Sequence, residues 1–123
     1  MKITLLSEER IRLEAIPGPM TIEAESAETM YSPFHMVASG LATCVYSVLR
    51  SWAETASIAA EDLTIEVGWQ FAGEPHRVGS YDLQLHWPSL PEARRNAAQR
   101  VAGLCPIHAT LHHPPEIRVE VAQ

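Results

Sequence analysis

The chain has 123 residues, 46 % of them apolar and 20 % charged, with 15 acidic against 9 basic side chains and a formal net charge of −6. That is the composition of one globular domain, residues 1–123, and its acidic balance argues against nucleic acid, whose phosphates call for a surplus of Lys and Arg. No stretch reaches the ~20 apolar residues of a membrane span, and the apolar run at the N-terminus is too short for a signal peptide, so the expected protein is cytoplasmic with no membrane partner.

Taken in chain order, Lys2 to Leu6 reads as a short strand and Ser7-Glu8-Glu9 as a turn. Arg10 to Ile16 alternates charged and apolar residues, the pattern of a half-buried strand. Pro17-Gly18-Pro19 turns the chain, and Met20 to Glu25 alternates again. Tight connections between the three predict an antiparallel meander. Ser32 then suits a helix N-cap and Pro33 the first helical position, and the helix is expected to run to about Ala56. Its early part carries one narrow polar stripe, His35, Ser39, Thr43 and Ser47, four residues apart. The rest of that part is apolar or small, which predicts burial on nearly every side by a sheet and a second subunit.

Leu63 to Phe71 and Arg77 to Trp87 alternate and form a hairpin about Gly73-Glu74-Pro75. Trp69, Phe71, Tyr81 and Trp87 are expected in the core or in cross-strand pairs. Ser89-Leu90-Pro91-Glu92 has the capping-box spacing, so a second helix is expected from there to about Leu104. Pro106 breaks that helix and opens one more turn to Leu111; Pro114-Pro115 ends it, and Glu116 to Val121 alternates as a last strand. The predicted order is β-β-β-α-β-β-α-β, an α+β domain with a mainly antiparallel sheet.

Two cysteines in a reducing compartment are either core thiols or reactive ones. Cys44 lies mid-helix, where its own helix offers no help to a thiolate. Cys105 ends one helix and precedes another, where free backbone N–H groups favour an anion. Local physics therefore ranks Cys105 as the better thiolate. Cys105, His108, His112 and His113 also form a C-x-x-H-x-x-x-H-H cluster that suits zinc by residue type, although its spacing matches no common zinc pattern.

Ser32-Pro33, Gly40-Leu41-Ala42-Thr43-Cys44 and Cys105-Pro106-Ile107-His108-Ala109-Thr110-Leu111 together resemble the two cysteine motifs of the OsmC/Ohr family, closest to its YhfA-like branch. The offset from position 44 to position 105 and the element order are similar to the family's. The resemblance implies an OsmC-like fold, an antiparallel sheet wrapped on a long central helix, in an intertwined homodimer with a site at the interface. It implies a thiol peroxidase acting on organic hydroperoxides in oxidative-stress defence. Cys44 would be peroxidatic and pass through a sulfenic acid, Cys105 would resolve it as a disulfide, and an external dithiol would reduce both. No cofactor or metal is implied.

Under the resemblance an arginine of the N-terminal strands activates the peroxidatic thiol, and Arg12 and Arg10 are the candidates, Arg12 first. The family's carboxylate after the motif proline is replaced by Phe34-His35. His35, about 2.5 turns before Cys44, is too far along the helix for a direct bond; it either orients an arginine or bonds a backbone carbonyl. Tyr31, Phe34 and Met36 are candidates to hold the organic part of the substrate. The missing carboxylate keeps a second reading open, a non-enzymatic relative that binds an apolar or thiol-reactive ligand. A zinc module built on Cys105 and the nearby histidines is a third.

Overall fold

Alternating burial builds the first two strands of the computed structural model, which describes residues 1–123. β1 (Lys2–Ser7) and β2 (Arg10–Glu14) pair antiparallel, with Ile3 opposite Leu13 and Leu5 opposite Ile11. All four of these side chains are buried. β3 (Thr21–Ala24) does not continue the meander. It pairs parallel to β1, Lys2 against Thr21 and Leu5 against Ala24, on the edge away from β2. The expected antiparallel order fails because the Pro17–Pro19 connection carries the chain around the start of β1. The N-terminal amine bonds the Ile16 carbonyl there, and the Met1 carbonyl accepts from the Thr21 N–H at 3.0 Å.

β4 (Thr64–Ala72) pairs antiparallel with β2 and with β5 (Arg77–His86). The sheet order is β3-β1-β2-β4-β5. Its inner face is a row of apolar side chains from each strand, among them Ile3, Ile11, Ile65 and Leu85. The outer face carries Arg10, Arg12 and Glu14 of β2 beside Gly68, Glu66 and Thr64 of β4. Strand alternation fixes this division, because successive side chains point to opposite faces.

Helix α1 (Pro33–Thr55) lies across the inner face. Ala38, Leu41, Ala42, Val45, Tyr46, Leu49 and Ala53 are buried against the sheet and the later helices. Ser32 caps α1 as expected: its hydroxyl accepts from the His35 N–H at 3.3 Å. Ser32→Ala is expected to lower stability by about 1 kcal/mol, the usual loss for a helix N-cap, seen as a lower urea midpoint with unchanged slope.

The capping box expected at Ser89 does not form. The Ser89 hydroxyl is taken by Asp62 at 2.7 Å and by the Ala59 carbonyl at 3.1 Å, which ties the end of the hairpin to the loop before β4. The second helix starts later, as a 3-10 turn (Glu92–Arg94) leading into α2 (Arg95–Ala102). Helix α3 (Pro106–His112) follows a turn at Gly103-Leu104. The strand expected at Glu116–Val121 is unpaired in a single chain: the segment after His113 forms no regular structure, and its side chains are exposed. No helix is long and apolar enough to cross a membrane.

Candidate active site

Two elements, α1 and α3, assemble the cysteine region. Cys44 lies in the middle of α1 and is half-buried, on a side of the helix where Met36, Val37, Gly40 and Ser47 are left exposed. The helix is straightforwardly self-contained here. The Ser39, Thr43 and Ser47 hydroxyls donate to the carbonyls of His35, Ser39 and Thr43, four residues earlier, at 2.7, 2.7 and 2.9 Å. The predicted polar stripe thus satisfies itself along the helix, so its hydroxyls need no water or ligand.

Cys105 is fully buried. It caps α3, with Sγ accepting from the His108 N–H at 3.4 Å and Pro106 at the first helical position. Both cysteines are free, and the packing of α3 on α1 makes them neighbours. Burial pushes the Cys105 thiol above its ordinary value of 9.0, and the adjacent Cys44 thiol raises it further; the His108 and Ile107 N–H groups pull it down without prevailing. The expectation that the helix start would favour a Cys105 thiolate is therefore not met. Its helix-start bonds act in the expected direction, but desolvation outweighs them.

The raised thiol has a consequence for stability. A folded-state pKa above the unfolded one contributes stability that is whole below the unfolded value and is lost as pH rises through the folded one. Tyr81 is raised from 10.0 in the same sense, by burial. The urea midpoint of the reduced protein is expected to hold steady up to about pH 8 and to fall as pH passes the ordinary thiol and phenol range. A Cys105→Ala variant should show a shallower fall; a profile identical to that of the parent would refute the assignment to Cys105.

His35 is fully buried and bonded at both ring nitrogens. Nδ1 faces the Ser32 N–H at 3.1 Å and the Ser32 hydroxyl at 2.8 Å, and Nε2 meets the Ser7 carbonyl at 2.9 Å. Two donors on one side and a carbonyl on the other describe the neutral ring with its proton on Nε2. Of the two roles expected for His35, the bond to a backbone carbonyl is the one present. The ring also closes a reciprocal capping box with Ser32, a place usually filled by Glu or Gln. It thereby joins the first turn of α1 to the β1–β2 turn, stacked on Tyr31 and edge-on to Trp69.

The arginines stand elsewhere. Arg12 is paired with Glu14 at 3.3 Å. Arg10 lies over Gly68, close enough that a Cβ there would meet its guanidinium at 2.8 Å. Both belong to the outer face of the sheet, opposite to α1 of the same chain, because Ile11 and Leu13 between and beyond them take the inner face. The structure does not bring either to the Cys44 of its own chain.

Phe34 packs edge-on against Phe71 at 4.8 Å between ring centres, and Phe71 stacks on His76 at 5.0 Å. Met36 is exposed, and Tyr31 is partly so. All three candidates lie at the N-terminal end of α1; Met36, the nearest in sequence, is about two turns from Cys44, roughly 12 Å along the axis, and Phe34 and Tyr31 lie farther. The histidines near α3 do not form a metal centre. His108 and His112 meet edge to face at 5.3 Å, but no three His, Cys, Asp or Glu side chains converge, since Cys105 turns its sulfur inward as a helix cap. The zinc module is set aside on that ground. Sequence reasoning missed the His35–Ser32 box, for which the signal was a ring acceptor three residues after a capping serine.

Comparison with known proteins agrees with this architecture. Two solved structures share the fold. One is an OsmC-like hydroperoxide resistance protein from Jannaschia sp. CCS1, with TM-score 0.59 and 24 % identity over 80 % of this chain and 71 % of that one. The other, from Psychrobacter arcticus 273-4, is assigned to the osmotic stress induced and detoxification response, with TM-score 0.61 and 18 % identity over 88 % of this chain and 84 % of that one. No curated protein matches the sequence. The family model for OsmC-like proteins matches residues 25–120, from before α1 to the tail and across both cysteines, and the chain belongs to the OsmC-like family.

Proposed function

We propose that the protein is a thiol-dependent peroxidase that reduces organic hydroperoxides in defence against oxidative stress. The observation that supports this most is the neighbouring pair of free thiols, one half-exposed on α1 and one buried at the cap of α3. The half-exposed thiol is the one a substrate can reach, so Cys44 takes the peroxidatic role and Cys105 the resolving one. The Cys44 thiolate attacks the terminal peroxide oxygen; the O–O bond breaks, and the alkoxide leaves as the alcohol with a proton. Cys44 is then a sulfenic acid, oxidised by two electrons. Attack by Cys105 sulfur forms the disulfide and releases water. An external dithiol restores both thiols by exchange and ends as its own disulfide. No cofactor enters.

Two copies of the chain assemble in this reading, covering the side of α1 that carries Met36, Val37, Gly40 and Cys44. The organic part of the substrate lies toward Tyr31, Phe34 and Met36. Arg10 makes no ion pair and has the freer guanidinium, whereas Arg12 is engaged by Glu14; an arginine acting on Cys44 would be carried by the second copy. One observation favours the second reading, a non-enzymatic ligand-binding relative: Arg10 and Arg12 both face away from Cys44 within a chain.

Counting free thiols before and after one equivalent of cumene hydroperoxide separates the two. The peroxidase loses both thiols and regains them with a dithiol. Survival of both through a long exposure would exclude the enzyme and leave the binding protein.

A further inference from the structure

Charge is divided unevenly along this chain. Residues 93–115, which carry α2, α3 and Cys105, hold Arg94, Arg95, Arg100 and three histidines, and no acidic side chain. All 15 acidic residues lie outside that segment, with the other six of the 9 basic ones. With histidines neutral, the α2–α3 unit is therefore +3 and the remainder −9, which together give the net −6. The three arginines are exposed. Arg95 pairs with Glu92 at 3.3 Å, while Arg94 and Arg100 have no carboxylate partner. The helix beneath them is anchored, since Ala98 is buried and Val101 and Ala102 pack on the core. The same corner leaves apolar side chains in solvent on either side of the fully buried Cys105: Leu104 is 73 % and Ile107 36 % exposed. Apolar side chains beside charges of one sign suit a protein partner of the opposite sign.

We propose that the exposed side of the α2–α3 corner, carrying Leu104, Ile107, Arg94, Arg95 and Arg100, is the docking surface for an acidic protein whose surface dithiol reduces the Cys44–Cys105 disulfide. The inference rests on the disulfide of the peroxidase cycle given above and names the kind of partner that ends that cycle.

Charge complementarity selects both the partner and the place. An acidic protein is repelled by most of this chain and attracted at the one unit that holds the resolving sulfur. Leu104 is the residue next to Cys105, so a partner seated on it stands beside the bond to be broken. The exchange then balances. One partner thiolate attacks Cys44, the half-exposed sulfur. The S–S bond breaks, and Cys105 leaves toward the His108 N–H that meets its Sγ at 3.4 Å, taking up the proton that the attacking thiol gave up. The second partner thiol attacks the mixed disulfide, and its proton goes to Cys44. Two electrons have passed to the cysteine pair, and the partner departs as its own disulfide.

The test uses the full chain, oxidised with diamide so that the disulfide does not depend on peroxide. Its reduction is timed by quenched thiol labelling with two probes, a reduced thioredoxin of strongly negative net charge and neutral dithiothreitol, at about 20 and about 300 mM NaCl. Arg94→Glu, Arg95→Glu and Arg100→Glu together should slow the thioredoxin reaction about tenfold or more at low salt, and the dithiothreitol reaction less than about twofold. High salt should bring the parent close to the variant. Glutamine at the same three positions should give an intermediate rate, which separates charge from any folding fault of the glutamate variant. Leu104→Ser should slow thioredoxin severalfold at both salt concentrations. A thioredoxin rate indifferent to salt and to the three substitutions overturns the docking surface. So does a parent that dithiothreitol reduces and thioredoxin does not, and so does an equal slowing of both probes, which would place the arginines' effect on the disulfide itself. Failure of the peroxidase reading looks different: cumene hydroperoxide then leaves both thiols intact, while the diamide-made disulfide still shows the arginine dependence. If diamide makes no disulfide between the two cysteines, both readings fall.

Discussion

Cys44→Ser is expected to abolish hydroperoxide consumption, a loss of about a thousandfold or more, because a hydroxyl in place of the thiolate removes the nucleophile that splits the O–O bond. Cys105→Ser should behave differently. Its Cys44 still reacts once, so one equivalent of peroxide is consumed in a fast phase and the sulfenic acid persists, trapped by dimedone at Cys44. The two variants together divide the chemistry between the sulfurs. If Cys105→Ser is the inert one and Cys44→Ser still reacts once, the assignment is reversed. The fully buried position of Cys105 and its raised thiol argue for the order given, since a peroxide must reach its target and meet an anion there.

His35→Ala should cost roughly 2–4 kcal/mol of stability, the second large effect. The change removes the ring that satisfies the Ser32 N–H and hydroxyl and the Ser7 carbonyl. It leaves those groups next to a small void that Tyr31 and Trp69 fill incompletely. His35→Gln should recover much of the loss, because a glutamine amide presents an acceptor and a donor at similar separation and belongs at this capping position. Denaturant melts of the three proteins check both statements. Equal loss for Ala and Gln would mean that ring packing, and not the hydrogen bonds, holds the β1–β2 turn to α1.

Much of the fold was legible because it is written locally. Ser32-Pro33 announces the start of α1, and the alternation in Arg10–Glu14, Thr64–Ala72 and Arg77–His86 announces three strands. What escaped depends on distant partners. The direction of β3 is decided by where the Pro17–Pro19 connection passes Met1, which no pattern within Met20–Glu25 encodes. Ser89 has the spacing of a capping residue, yet its hydroxyl goes to Asp62, far away in sequence. The Glu116–Val121 pattern is correct as a pattern, but nothing in one chain pairs with it. For the site, the residue types around each cysteine showed the bonds that favour a Cys105 thiolate and not the burial that opposes them. Only the resemblance joined Cys44 to Cys105, since their nearness comes from α3 packing on α1.

The two cysteines ride on unequal supports. α1 has twenty-three residues and eight buried side chains, whereas α3 has seven residues and none. If the two sulfurs join as proposed, the long helix is expected to be the anvil and the short one the part that gives way, about the turn at Gly103-Leu104. Amide hydrogen exchange should therefore register the redox state as a clock in α3: its N–H groups exchange at one rate in the dithiol and at another in the disulfide, while those in the middle of α1 keep the same time in both.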